Sequence, residues 1–139
     1  KQDGTPDKTI SHFMNLDSGK LEHREQIKWL KDGQRTLTEH FYFSPDGKVN
    51  KYTKIMYHAC GGPFLEETHR YGSTGHMLRR EIIQYNPNGV QTAADLTTYD
   101  VSGEITHRST TYYDHRGTAI FSHEQDVSPL SFQPPEEKK

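Results

Sequence analysis

Tyr85-Asn86-Pro87-Asn88-Gly89 is one of eight copies of a five-residue word that recurs with a period of 14 along most of the 139-residue chain. The other copies occupy 15–19, 29–33, 43–47, 57–61, 71–75, 99–103 and 113–117, with no insertion or slip between them. The first position is aromatic in seven copies and the fifth is Gly in all eight, although aromatics make up only 11% of the chain. Composition alone does not produce such a column, so the word has a structural job.

That job is a turn. Ser44-Pro45-Asp46-Gly47 and Asn86-Pro87-Asn88-Gly89 place a side-chain acceptor first, Pro second, Asp or Asn third and Gly fourth. This is the chemistry of a type I turn closed by a left-handed Gly in a bulge, a common three-residue hairpin loop. The segments between turns are rich in Thr, Ile, Tyr and Phe, which suits strands. A turn signal every 14 residues leaves no room for a sustained helical period. The spacing therefore predicts an all-β fold: nine strands near 6–15, 20–29, 34–43, 48–57, 62–71, 76–85, 90–99, 104–113 and 118–127, joined as an antiparallel meander. Residues 1–127 form a single repeat domain in this reading, and the Pro-rich, charged stretch 128–139 forms a tail. A meander this broad either curls into a strongly twisted open sheet or closes into an up-and-down barrel.

Turn geometry also predicts a register. In the expected loop the aromatic lies opposite the second residue after Gly, giving Phe43–Val49, Tyr57–Pro63, Tyr71–Met77, Tyr85–Gln91, Tyr99–Ile105 and Tyr113–Ala119, with Trp29–Arg35. Aromatic–aliphatic cross-strand pairs stabilise a hairpin by a few tenths to about 1 kcal/mol each, which favours this register over its one-residue neighbour. Carried along the strands without a break, it gathers the aromatics on one face with Ile27, Leu37, Phe41, Ile55, Leu65, Ile83, Ala93 and Phe121. Thr36, Thr38, Lys54, Glu66, Arg80, Thr92, Thr106 and Arg108 fall on the other, where Lys54 faces Glu66. Phe64, Leu78, Ile82 and Leu96 also fall there, so the alternation is partial.

The same register lines up Glu25, Glu39, Thr53, Glu67, Glu81, Asp95, Ser109 and His123 as one row across the aromatic face. Carboxylates so placed repel one another, and burial would add a desolvation cost, so the row must be wet, protonated or offset by cations. The densest group is Glu67, His69, Arg79, Glu81 and Asp95, with His107 expected opposite Thr97. With Tyr71, Tyr85 and Tyr99 on the same face, these residues form the candidate ligand-binding set. Glu67, His69, Glu81 and Asp95 form the candidate set for a divalent metal, and no other cofactor is expected. A solvated stripe is the plain alternative, and five of the nine histidines (His12, His40, His58, His76, His115) fall away from the row in this register.

Composition limits the function classes. The hydrophobic fraction of 30% is too low to fill a thick dry core. A net charge of −2 marks the chain for neither nucleic acid nor a membrane surface, and no apolar run is long enough to span a bilayer. The single cysteine, Cys60, cannot form an internal disulfide; it sits in a turn two residues from His58 and reads as an exposed, unreactive thiol. The absence of an initiator Met and of a signal peptide fits a trimmed mature chain, and an extracytoplasmic or secreted location is expected.

The Tyr-Asp-x-x-Gly words at Tyr99-Asp100-Val101-Ser102-Gly103 and Tyr113-Asp114-His115-Arg116-Gly117 resemble the turns of bacterial YD (Rhs-type) repeats. They are also similar to the Tyr-x-x-Gly turns of MORN-variant proteins, although those families use a longer unit. Small secreted bacterial proteins of uncharacterised families share the style. The resemblance implies shell-forming or partner-binding roles. The expected function is a non-enzymatic binding or interaction module that meets a protein, a glycan or a second copy of itself through a Tyr-rich face or a sheet edge. The competing expectation is a barrel whose acidic and His-lined lumen holds a small polar ligand or divalent metal, with enzymatic use of that site left open.

Overall fold

The computed structural model describes residues 7–30 and 33–126; the expected tail and the outermost residues of the domain lie outside them. Nine strands follow in chain order: β1 (Lys8–Met14), β2 (Leu21–Trp29), β3 (Arg35–Phe43), β4 (Val49–Tyr57), β5 (Pro63–Tyr71), β6 (Met77–Tyr85), β7 (Gln91–Tyr99), β8 (Ile105–Tyr113) and β9 (Ala119–Asp126). They form one antiparallel sheet in that same order, each strand bonded to the next.

The turns follow the predicted chemistry. All eight motif glycines have positive φ, from 70° to 103°, and among the described residues no other residue type does. In seven hairpins the residue after the aromatic donates its N–H to the carbonyl after Gly, and accepts the Gly N–H in return. Ser44 N to Lys48 O and Gly47 N to Ser44 O, both 2.8 Å, are typical. Asn86 Oδ1 accepts from the N–H groups of Asn88 and Val90 at 2.9 and 3.0 Å, and the Asp100 and Asp114 carboxylates make the same pair of contacts. The first copy, which lacks the aromatic, differs. There Asn15 itself donates to Lys20 O at 2.8 Å, so this loop is one residue longer.

The aromatic pairs also form as expected, from Trp29 opposite Arg35 to Tyr113 opposite Ala119. One step further along each hairpin the ladder shifts. Tyr42 faces Lys51 rather than Asn50, and Arg70 faces Arg79 rather than Leu78. The residue passed over is Glu22, Thr36, Asn50, Phe64, Leu78, Thr92, Thr106 or Ile120, so this second bulge recurs with the same period of 14.

One extra residue exchanges the faces of everything beyond it, because side chains alternate with a period of two. Each repeat therefore reverses both direction and face relative to the last. Phe43, Tyr71 and Tyr99 lie on one face, at one end of the sheet; Trp29, Tyr57, Tyr85 and Tyr113 lie on the other face, at the opposite end. The single aromatic face expected from the sequence is corrected by this alternation. So is the Lys54–Glu66 pair, since Lys54 faces Glu67 and Ile55 faces Glu66.

The apolar side chains are thus shared between two faces of one layer. Among the described residues no hydrophobic side chain is buried; only Thr38 and Thr53, at 3% and 7% exposure, are. What shields these hydroxyls is the cross-strand neighbourhood. Thr38 Oγ1 and the Tyr57 hydroxyl are 3.0 Å apart, and Thr53 and Thr68 hydroxyls meet at 3.4 Å. Trp29 Nε1 donates to Thr9 Oγ1 at 3.0 Å, and Tyr85 donates to Glu66 Oε1 at 3.1 Å. Motif aromatics on the second face therefore lie back over the preceding strand and tie it down.

The sheet is open. β1 pairs with β2 and β9 with β8, and the two outer strands do not meet. Closure into a barrel, one of the two forms expected, does not occur, and with it goes the enclosed lumen.

Candidate functional site

The bulge splits the predicted carboxylate row in two. On the face of Phe43, Tyr71 and Tyr99 runs Gln26, Glu39, Lys54, Glu67, Ile82, Asp95, Thr110 and His123. On the other runs Glu25, His40, Thr53, Thr68, Glu81, Leu96, Ser109 and Glu124. Each carboxylate now faces a cation, an amide, a hydroxyl, an imidazole or an apolar residue instead of a like charge, which removes most of the expected repulsion.

Among the described carboxylates Glu67 has the most ion-pair partners, three. Its Oε2 lies 2.5 Å from His69 Nε2 and accepts from Arg80 Nε at 3.0 Å, while Lys54 Nζ stands 3.7 Å from Oε1. Burial, with 12% of the side chain exposed, would push its carboxyl up; the bonds from His69 and Arg80 outweigh that and hold it below its ordinary value. His69 Nδ1 continues to the Tyr71 hydroxyl at 3.2 Å. Beside this chain, the Tyr52 hydroxyl donates to Glu39 Oε2 at 2.5 Å, and Gln26 Nε2 donates to Oε1 of the same carboxylate at 3.3 Å. Burial first and the Glu39 carboxylate second push the Tyr52 phenol well above its ordinary value, so it remains a donor.

These groups border an open cleft of about 720 Å³ lined by Glu39, Phe41, Tyr52, His69 and Tyr71, with Lys48, Val49, Thr74 and Gly75 at its turn end. The rings are fixed by one another. Phe41 and Tyr52 centroids are 5.0 Å apart, and Tyr52 meets His69 edge-on at 5.4 Å. The result is a mainly apolar, aromatic trough whose polar tips (Glu39, Tyr52, His69 and Tyr71) are already hydrogen-bonded.

Of the predicted site residues, Glu67, His69 and Tyr71 come together here. Tyr99 shares the face two hairpins away. Asp95 is on this face but accepts from the Thr110 hydroxyl at 2.5 Å, in a shallow hollow with Arg80 and Arg108. Arg79 and Glu81 are paired with each other on the opposite face, 3.6 Å apart, and Tyr85 is also there. The proposed metal set of Glu67, His69, Glu81 and Asp95 is therefore not assembled, and among the described residues no three acidic, His or Cys side chains are placed to hold an ion. His107 faces Thr98 rather than Thr97 and pairs with Asp126 at 2.6 Å. His58 Nε2 lies 3.1 Å from the Tyr85 carbonyl, and the Cys60 thiol is directed at Pro87 O at 3.9 Å, so the imidazole does not activate the thiol.

Sequence reasoning missed a cluster on the second face. His23 and His40 are 3.0 Å apart, His40 is 3.7 Å from Glu25, and Tyr42 stacks on His23 at 4.4 Å with 4° between planes. In the unbroken register His23 and His40 fall on opposite faces. The incomplete alternation of Phe64, Leu78, Ile82 and Leu96 was the one trace of the shift that joins them.

No family model matches the chain, and no curated protein matches it in sequence. A solved protein of unknown function from Bacteroides fragilis is similar over 88% of this chain and 94% of its own, at 13% identity and a TM-score of 0.35. That likeness carries no argument about fold family or function.

Proposed function

We propose that this chain is a non-enzymatic binding module whose partner lies along an open face of the sheet, in the trough between Glu39, Tyr52, His69 and Tyr71. One observation carries the reading: a single-layer sheet with no buried apolar side chain among its described residues nonetheless holds a fixed, hydrogen-bonded aromatic trough of about 720 Å³. Ordering those rings costs side-chain entropy that no core repays, and a partner that covers them would. Tyr and His present apolar area with a polar tip, the chemistry enriched at binding surfaces.

The test is a panel of acidic, basic and apolar peptides, neutral and acidic oligosaccharides, and the chain itself, offered to the immobilised protein. Saturable binding by at least one, weakened about tenfold by Tyr52→Ala or His69→Ala in variants that keep their β circular dichroism, supports the reading. No saturable binding, or no binding that either substitution weakens, contradicts it.

The edges favour a second reading, strand addition by another copy. Ile10, Phe13 and Met14 on β1 and Ile120 and Phe121 on β9 are 40–65% exposed, on edges that no described strand pairs. β1 and β9 run in the same direction, so a second copy must be turned over to pair antiparallel, the same operation that relates successive repeats. Solution mass that rises with concentration supports this mode; a strict monomer at high concentration removes it.

A further inference from the structure

One cross-strand row on the second face has a composition unlike any other. Phe13, His23, Tyr42, Lys51, Arg70 and Arg79 stand directly opposite one another on six successive strands. The three rings stack face to face, Phe13 on His23 at 4.9 Å and 16°, His23 on Tyr42 at 4.4 Å and 4°. Lys51 Nζ caps the stack 5.0 Å from the Tyr42 centroid. Arg70 and Arg79 follow, so three cations stand in the row without interruption.

Like charges directly opposite each other destabilise a sheet. The Arg79 guanidinium is offset by Glu81 at 3.6 Å, but among the described residues Lys51 and Arg70 have no carboxylate within ion-pair distance. The rings add to the same sign. Because their faces are used against one another, they turn their edges outward, and a ring edge carries the positive part of the quadrupole. A hollow of about 740 Å³ lies along the Phe13-to-Arg70 part of this row, with Phe43 and Tyr71 at its turn end and Glu22 the one carboxylate among the described residues on its wall.

We infer that this row is a docking strip for an extended acidic polypeptide segment, on the face opposite the trough and sharing with it the Tyr71 ring at the turn end. Carboxylates laid along it would relieve the Lys51–Arg70–Arg79 repulsion and meet guanidinium forks suited to them. Nucleic acid and glycans are less suited. Bases and sugar rings need free aromatic faces to stack on, and at the centre of the row both faces of His23 and of Tyr42 are taken. The net charge of −2 also opposes a long, densely charged polyanion, whereas a short acidic segment meets the strip locally.

The experiment titrates the full chain into fluorescein-labelled hexaglutamate at low salt and follows anisotropy. Saturable binding is expected, weakened about two- to fivefold by Arg70→Gln and again by Arg79→Gln, and weakened further by added salt. Tyr52→Ala, on the other face, leaves it unchanged. Equal affinity in the double arginine variant, no saturable binding, or tighter binding of a single-stranded oligonucleotide or a uronate oligosaccharide would overturn the proposal. If hexaglutamate fails while another member of the panel binds in a Tyr52-dependent way, the strip alone is lost.

Discussion

Glu67 and Glu81 occupy the same position in consecutive repeats, yet they lie on opposite faces: Glu67 stands across from Ile82, and Glu81 across from Thr68. Their partners are correspondingly separate, His69 and Arg80 for one and Arg79 for the other. Glu67→Gln and Glu81→Gln are therefore expected to add, within about 0.5 kcal/mol, in urea unfolding of the single and double variants. Glu67→Gln with His69→Ala should instead show a coupling of about 0.5–3 kcal/mol. Coupling between the two glutamates comparable to that of Glu67 with His69 would place them on one face and contradict the alternation.

The His23–His40 pair predicts acid sensitivity. Burial, with help from His23 and Lys51 and against Glu25 and Glu66, holds His40 below its ordinary value of 6.5. The unfolded chain then takes up the proton first, so the stabilising effect is complete above about pH 6.5 and declines as pH falls towards the lower folded value. Melting temperature measured from pH 8 to 5 should fall below about pH 6.5, and His40→Gln should flatten that part of the curve. An unchanged profile in the variant would assign the loss elsewhere.

Gly89 sits at φ 84° with open space where a Cβ would go. Gly89→Ala consequently carries a backbone cost without a clash, about 1–2 kcal/mol in chemical denaturation, with Gly89→Asn milder. A loss well above that range would mean that the turn packs against something.

Tyr57 and Thr38 offer a test of how a sheet without a core holds its strands. Tyr57→Phe removes the hydroxyl facing Thr38, which is 3% exposed, and should cost about 1–3 kcal/mol because a buried polar group loses its partner. Thr38→Val in the Tyr57→Phe background should recover most of that loss. Failure of the second substitution to recover stability would show that the ring's position, not the hydrogen bond, matters.

The turns were legible in sequence because each requirement has its own residue: Gly for positive φ, Asn or Asp to accept from the next amides, Pro for the fixed φ before them. Strand limits followed, as Pro63–Tyr71 against the expected 62–71 illustrates. The second bulge was not legible. Glu22, Asn50, Phe64 and Ile120 share no chemistry, because a bulged residue in an open sheet needs no special φ and meets no common neighbour. Phe64, Leu78, Ile82 and Leu96, misplaced on an otherwise polar face, were its only sign. That one residue of shift decided the site: it kept Glu67 with His69 and Tyr71, sent Glu81 and Tyr85 away, and brought His23 to His40.

Paired cysteines read that shift most directly. In a Cys60→Ser background, Glu67→Cys with Ile82→Cys places two thiols directly opposite on one face, within the reach of a disulfide. Glu67→Cys with Glu81→Cys places them on opposite faces. Mild oxidation followed by intact mass should show an internal disulfide, two hydrogens lighter, in the first pair and free thiols in the second. A disulfide that forms with Glu81→Cys and not with Ile82→Cys would restore the unbroken register and overturn the two-faced sheet.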